Sequence, residues 1–423
     1  MRKYLTAILG LEVVAVLLAW VHALSNVRTD EAKYLLDIPY PHPPFLRGIM
    51  HALEAVPFQE MFWRIVFASM FVQAVWLVWD MGKFLARNER IALCGVWLLS
   101  AGVLLWTGAI MIAPVNAVQG LVFVWLLFRP ELTRKYPALV SIFWLVSLLT
   151  GYQAILYFPL TLALYWRQKF SIFDVALYVF GPIAVLMLYT LSNPLALASL
   201  LHHGGEQTDE SLGFHTYHTV RLWLVGGSIV ASVVGLIGII RSRKWELICA
   251  LLCVTGFIFL NWFEYYSILF SPLLVAGVLY AFDPSTRGVS SEDSRRARLG
   301  SNMRANFVFA LFDKRLLRGR AMLLAMWAGS ILTLWLWSLP LSLSAARDVS
   351  QKLQENGVRG TVLIAGTFGH DWQYESLLPI LRFAPERVAS ASAIVCLAPC
   401  AGWTPGPEWR QMTGLATQVW LRR

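Results

Sequence analysis

The stretch LTAILGLEVVAVLLAWVHALSNVRTDEAKYLLDIPYPHPPFLRG, residues 5–48, holds in order an apolar run, a charged exit and a proline-stiffened turn. Residues 5–25 carry one carboxylate, Glu12, and about 20 apolar residues suffice to cross a bilayer. The run follows Met1-Arg2-Lys3 like the start of a signal peptide. It is long, however, and no small-residue cleavage site follows it, which predicts an uncleaved first span.

The rest of the chain repeats that pattern. Of 423 residues, 57% are hydrophobic and only 14% charged, with 19 Trp and a mean hydropathy of +0.59. Soluble chains carry about 25% charged residues, so a single water-soluble domain is excluded. So are disorder and a collagen-like fibre. Apolar runs centre on 5–25, 62–80, 92–109, 111–128, 138–150, 152–166, 172–192, 221–240, 247–261, 267–282 and 321–339. They predict a polytopic α-helical membrane protein of about eleven spans.

The net charge of +10 is unevenly spread. The N-terminus and the short loops around Lys83/Arg87/Arg90, Arg129/Arg134/Lys135, Arg167/Lys169 and Arg241/Arg243/Lys244, with 283–320, hold 22 of 35 Lys/Arg but nine of 25 Asp/Glu. The positive-inside rule places this set in the cytoplasm. Residues 26–61, 193–220 and everything after 340 then lie outside, with all eight His on the outer side or at an outer span end. The basic 283–320 segment lacks aromatics within its Arg cluster, so topology and anionic lipid explain it better than nucleic acid. The expected setting is a bacterial plasma membrane, with a cytoplasmic N-terminus.

The predicted division is a membrane domain over 1–339 and a small extracytoplasmic α/β unit over 340–423. In the latter, helices are expected at 345–356 and 372–383 and strands at 360–365, 393–397 and 417–421, making a small, largely parallel sheet. Cys94, Cys249 and Cys253 lie in spans as apolar filler. Cys396 and Cys400 lie outside, where an oxidising compartment permits a short-loop disulfide and a free pair is the alternative.

The first outer loop carries the chemistry. Asp30 and Glu31 sit where the first span leaves the bilayer, a place where desolvation and like charge perturb carboxylates. Thr29 or Asp30 is expected to cap a helix over 31–37. Four prolines within 39–44 stiffen the turn. From Phe45 onward, Phe45, Ile49, Leu53 and Val56 share one helical face and Arg47, His51 and Glu54 another, the pattern of an interfacial helix.

At these residues the chain resembles the polyprenyl-phosphate-sugar-dependent glycosyltransferases of the GT-C superfamily, especially the protein O-mannosyltransferase and aminoarabinose-transferase branch (glycosyltransferase family 39-like). The matching residues are Asp30-Glu31, Tyr34 and His42-Pro43-Pro44. The resemblance implies sugar transfer from a polyprenyl phosphate to a hydroxyl of a protein, lipid or glycan acceptor, with inversion and without a cofactor. Asp30 would be the base and Glu31 would orient hydroxyls. Lys33, Tyr34, His42, Arg47, His215, His218 and Arg221 would bind donor phosphate or substrate. The sequence departs from the family where an acidic residue is usual, in Ala113-Pro114-Val115-Asn116-Ala117-Val118-Gln119. It departs again at Thr150-Gly151-Tyr152-Gln153 and at Glu264-Tyr265. These departures bear on which donor is used.

Two rival readings remain. His202, His203, Glu206, Asp209 and Glu210 with His215 and His218 offer metal-ligand chemistry without an HExxH pattern; a divalent ion there would serve the donor phosphate. Glu12 in mid-span is the foothold for a transporter or a flippase of lipid-linked intermediates. No internal repeat supports that reading, and a helix-to-helix hydrogen bond is the simpler account of Glu12.

Overall fold

A computed structural model describes residues 2–24, 27–38, 42–198, 211–261, 263–282, 319–336, 345–366, 368–376, 378–413, 415 and 417–423. Helix α1 (Arg2–Leu24) presents Leu5, Leu9, Val13 and Trp20 outward and buries Ala15 and Ala19 against Ala68 and Val72 of α4 (Gln59–Gln73). Small side chains permit such close helix packing in lipid. Ser69 and Gln73 each donate to Glu12 at 2.7 Å. Both Glu12 oxygens therefore serve α1–α4 association, as the simpler account expected.

Helices Ile112–Leu127 and Ser271–Phe282 are buried almost all round and form the centre of the bundle. A helix apolar on every face belongs in such a place. Together with the membrane-length helices Leu5–Leu24, Gln59–Phe84, Ile172–Ser192 and Glu264–Phe282, they make this a polytopic helical membrane protein.

Several expected spans are interrupted. The run at 92–109 splits into Arg87–Leu98 and Ala101–Trp106, the second capped by Ser100 Oγ accepting from Val103 N–H. The run at 221–240 is two helices, Leu212–Gly227 and Ile229–Ser242, that meet at 97°. Ser228 takes φ +66 at the corner, and Ser232 Oγ donates to the carbonyls of Trp223 (2.8 Å) and Leu224 (3.3 Å). Side-chain capping of freed carbonyls lets a helix break inside an apolar environment. The run at 267–282 opens as a 3₁₀ turn over Glu264–Phe270.

The loop helix α2 covers Thr29–Leu35 with Arg28 as its extended cap, two residues earlier than expected. Helix α3 spans Phe45–Ala52 and buries Leu46 and Met50. Phe45, Ile49 and Leu53, the face expected to be apolar, stay exposed, in keeping with an interfacial helix.

Residues 345–423 form an α/β unit whose five strands run in the order β2-β1-β3-β5-β4. The strands are β1 Val362–Ala365, β2 Ile380–Arg382, β3 Ala393–Cys396, β4 Trp409–Gln411 and β5 Gln418–Arg422. Strands β2, β1 and β3 are parallel, whereas β5 pairs antiparallel with both β3 and β4. The sheet is thus mixed, not largely parallel. The second helix stops at Ser376, and β2 takes the residues expected to end it. One face packs on Val349, Leu353 and Trp372, the other on Trp403, Trp409 and Trp420. Cys396 and Cys400 are joined in a disulfide at the C-terminal end of the central strand β3.

Candidate active site

Successive residues on a helix point about 100° apart, so α2 sends its two adjacent carboxylates in different directions. Glu31 is 1% exposed. Its Oε1 accepts from Arg64 Nη1 (2.9 Å) and from Ile110 N–H (2.8 Å), and its Oε2 accepts from Arg28 N–H (2.8 Å) and from Arg64 Nη2 (3.4 Å). Arg64 is equally buried and also donates to Glu60 Oε1 (2.9 Å) and to the Gly108 carbonyl (3.1 Å). Gly108 sits at φ +92, a backbone conformation in which any other residue would be strained. Glycine at this turn is what aims the carbonyl at Arg64. Burial alone would push the Glu31 carboxyl up; the Arg64 charge and the Arg28 and Ile110 N–H groups override it and hold the carboxyl below its ordinary range. Both oxygens being engaged from within the protein, Glu31 anchors α2 and does not have the substrate-facing place expected for it.

Asp30 faces the other way. With Tyr34 one turn on, and with His42, it lines a narrow pocket closed by the start of helix Ile112–Leu127, Gln153, Tyr265 and Tyr266. Lys33 Nζ bonds Asp30 Oδ1 at 2.9 Å on the same helical face. Tyr34 is buried against Leu46, Met50, Trp63 and Phe67, which fixes its ring. The His42 ring lies 6.2 Å from that of Tyr152, and its carbonyl accepts from Tyr189 Oη at 3.2 Å. On the far wall, Asn116 Nδ2 donates to Gln153 Oε1 (3.2 Å), and Gln153 Nε2 donates to Tyr266 Oη (3.4 Å). Gly151 makes this amide chain possible. A Cβ there would fall 2.2 Å from Ile112 Cγ2 and 2.7 Å from Asn116 Nδ2.

Of the residues expected to bind substrate, the structure therefore gathers Asp30, Tyr34 and His42 at one pocket, with Lys33 bound to Asp30. Arg47 is held elsewhere: it bonds the Asp37 carboxylate and, through Nη2, the Asp37 carbonyl (2.8 Å). That guanidinium keeps the Asp37 carboxyl below its usual range. His215 is buried between Phe214 and Phe259, and His218 packs on Phe214 and Tyr217, so neither ring lines the pocket. Arg221 is one step removed, bonding Glu264 at 3.1 Å beside Tyr265. His202, His203, Glu206, Asp209 and Glu210 lie outside the described residues. Among the described residues no group of three or more His, Cys, Asp or Glu is arranged to hold a metal.

Gln153, Tyr266 and Arg64 were not foreseen as site residues. Arg64 left the clearest signal, a lone cation within an apolar run, which needs a carboxylate partner when buried. Arg28 is a further cation near the site, its guanidinium 4.0 Å above the Trp106 ring, and that ring meets Tyr265 edge-on at 6.0 Å.

No protein-family model matches the sequence, and no curated protein sequence matches it significantly. Among solved structures, the chain is similar to ArnT from Cupriavidus metallidurans in the apo state. The TM-score is 0.57 and the identity 11%, over 99% of this chain and 98% of that one. It is similar also to the same protein bound to undecaprenyl phosphate, with a TM-score of 0.58 and 13% identity over 100% and 98%. The chain thus shares, from end to end, the fold of a polytopic membrane protein.

Proposed function

We propose that the protein is a GT-C-type membrane glycosyltransferase that moves a sugar from a polyprenyl-phosphate donor to a hydroxyl acceptor on the outer face. The observation that carries this reading is Asp30 lining a narrow pocket, within a fold that matches ArnT over its whole length. The charge distribution supports a cytoplasmic N-terminus with the α/β unit outside, and the apolar runs suit about eleven spans, in our reading of a bacterial plasma membrane.

In this reading Asp30 accepts the proton of an acceptor hydroxyl as that oxygen attacks the anomeric carbon. The bond from that carbon to the phosphate oxygen breaks as the new bond forms on the opposite face, so configuration inverts. The departing phosphate gains negative charge. Lys33, Arg28 and Arg221 are the nearby cations, and Ile112 and Ala113, whose backbone N–H groups open helix Ile112–Leu127 without intrahelical acceptors, line the pocket. Tyr34, His42, Gln153 and Tyr266 would position sugar and phosphate. The Gln153 amide, lining the pocket in place of a charged group and tied to Asn116 behind it, suits a neutral polar sugar. Glu31 acts through position alone.

Purified protein offered a panel of polyprenyl-phosphate sugars with acceptor-containing membranes should release free polyprenyl phosphate. Absence of turnover with every donor would count against an enzyme and for the transporter reading. A second expectation concerns the amide wall. Gly151→Ala must displace Ile112 or Asn116, and a misplacement of this size lowers turnover roughly 10- to 100-fold. Assay of the variant against wild type checks it, with unchanged turnover removing Gln153 from the site.

A further inference from the structure

We propose that Arg347 is a positioning residue for Asp30, so that the outer α/β unit sets the geometry of the catalytic loop. This rests on the reading of Asp30 as the base. Arg347 stands in the first turn of helix Ala345–Glu355. Its guanidinium joins three segments far apart in sequence. Nη1 donates to the Ala23 carbonyl at the end of α1 (2.6 Å), Nη2 to Glu60 Oε2 of α4 (3.1 Å), and Nη2 and Nε to Glu375 Oε1 (2.8 and 3.0 Å).

From there the contacts converge on α2 by two routes. Glu60 passes to Arg64 (2.9 Å) and Arg64 to Glu31 (2.9 Å), the neighbour of Asp30. Glu375 Oε1 accepts from Val27 N–H at 3.4 Å, holding the segment that enters α2. The helix His370–Ser376 that carries Glu375 packs directly on α2. Burial, with Glu60 and Glu375 beside it, pushes the Tyr374 phenol up to about 12, so Tyr374 adds no charge of its own to this junction. The bonds to a carbonyl and two carboxylates come from three separate nitrogens of one planar fork, and a Lys ammonium, with all its donors on a single atom, would reach fewer of them.

The link is separable from folding of the unit. The unit's core around Val349, Leu353, Val362, Ile364 and Val395 is apolar, whereas the Arg347 guanidinium bonds Ala23, Glu60 and Glu375. Loss of Arg347 therefore frees residues 27–36 without removing apolar packing. A base held less firmly lowers turnover more than it lowers donor affinity.

The test uses the full chain in nanodiscs and three readouts: amide hydrogen exchange of residues 27–36, thermal midpoint, and kcat with KM for the donor. Arg347→Ala should speed exchange over 27–36 by about tenfold or more and lower kcat roughly 10- to 100-fold at little-changed KM. Arg347→Lys should recover part of both. Glu375→Gln reads the same link should Arg347→Ala not accumulate. Unchanged exchange, or a kcat loss without Lys recovery and with a matching fall in thermal midpoint, overturns the positioning role while an active wild type leaves the proposed function standing. A wild type without turnover overturns the proposed function itself, whatever the exchange shows.

Discussion

Asp30→Asn is expected to abolish most sugar transfer, by a factor of about 10² to 10⁴, while donor binding is retained. The substitution keeps the size of the side chain and its bond from Lys33 Nζ to Oδ1, so the pocket stays as it is. It removes the negative charge that pairs with Lys33 and, with it, the capacity to take a proton. In an attack by a neutral hydroxyl the proton must leave as the new bond forms, and a carboxylate placed at the reacting centre is what lowers that barrier. The measurement is twofold: release of polyprenyl phosphate in single turnover, and binding of labelled donor to the same preparation. Loss of transfer with intact binding assigns the base. Transfer within about tenfold of wild type, less than a general base contributes, would place the base elsewhere. The same variant separates the rival class. A flippase working through Glu12 should move lipid normally when it carries Asp30→Asn, since Glu12 is bonded to Ser69 and Gln73 within the α1–α4 contact.

Much of this arrangement is legible in the sequence, and the limits have physical causes. Long apolar runs specify spans because a bilayer demands about 20 such residues wherever the chain crosses. Where a run bends is decided by what meets it. The corner at Ser228 depends on Ser232 reaching back to the Trp223 carbonyl, a contact that hydropathy does not register. Strands β2 and β4 have three residues each, too few to show any periodicity. The pair Asp30-Glu31 stands out as chemistry, but the division of labour within it does not. That depends on α2 starting at Thr29, which turns Glu31 toward Arg64 and Asp30 toward the pocket. Arg47 misleads for a similar reason: its carboxylate partner, Asp37, lies ten residues back on the same loop and holds it there. Gln153 and Tyr266 have no signal of their own, because amides and phenols are informative only once a pocket brings them together.

The second large effect is on stability, and it changes with pH. Arg64→Leu should destabilise the protein by about 3–5 kcal/mol near neutral pH, the usual result of stranding a buried charge. Glu31 would keep two N–H donors, Arg28 and Ile110, but lose the cation that offsets its burial. In the wild type the folded carboxyl lies below its ordinary value of 4.5. The unfolded chain then binds more protons, so this contribution is whole above about pH 4.5 and is lost as pH falls through the lower folded value. In Arg64→Leu, burial, already the largest influence on Glu31, acts against weaker opposition and lifts the folded carboxyl above 4.5. The folded state then binds more protons, and its penalty shrinks as pH is lowered from about 7 toward about 5. The stability gap between variant and wild type should therefore narrow with acidification, read as thermal midpoints across that range in one detergent. Adding Glu31→Leu to Arg64→Leu should recover part of the loss at about pH 7, because an apolar pair leaves no stranded charge. A gap that is constant with pH would mean that loss of Arg64 does not change the protonation of Glu31 over this range, and a double variant worse than the sum of the singles would mean that Arg64 stabilises the site through Glu60 and Gly108 instead.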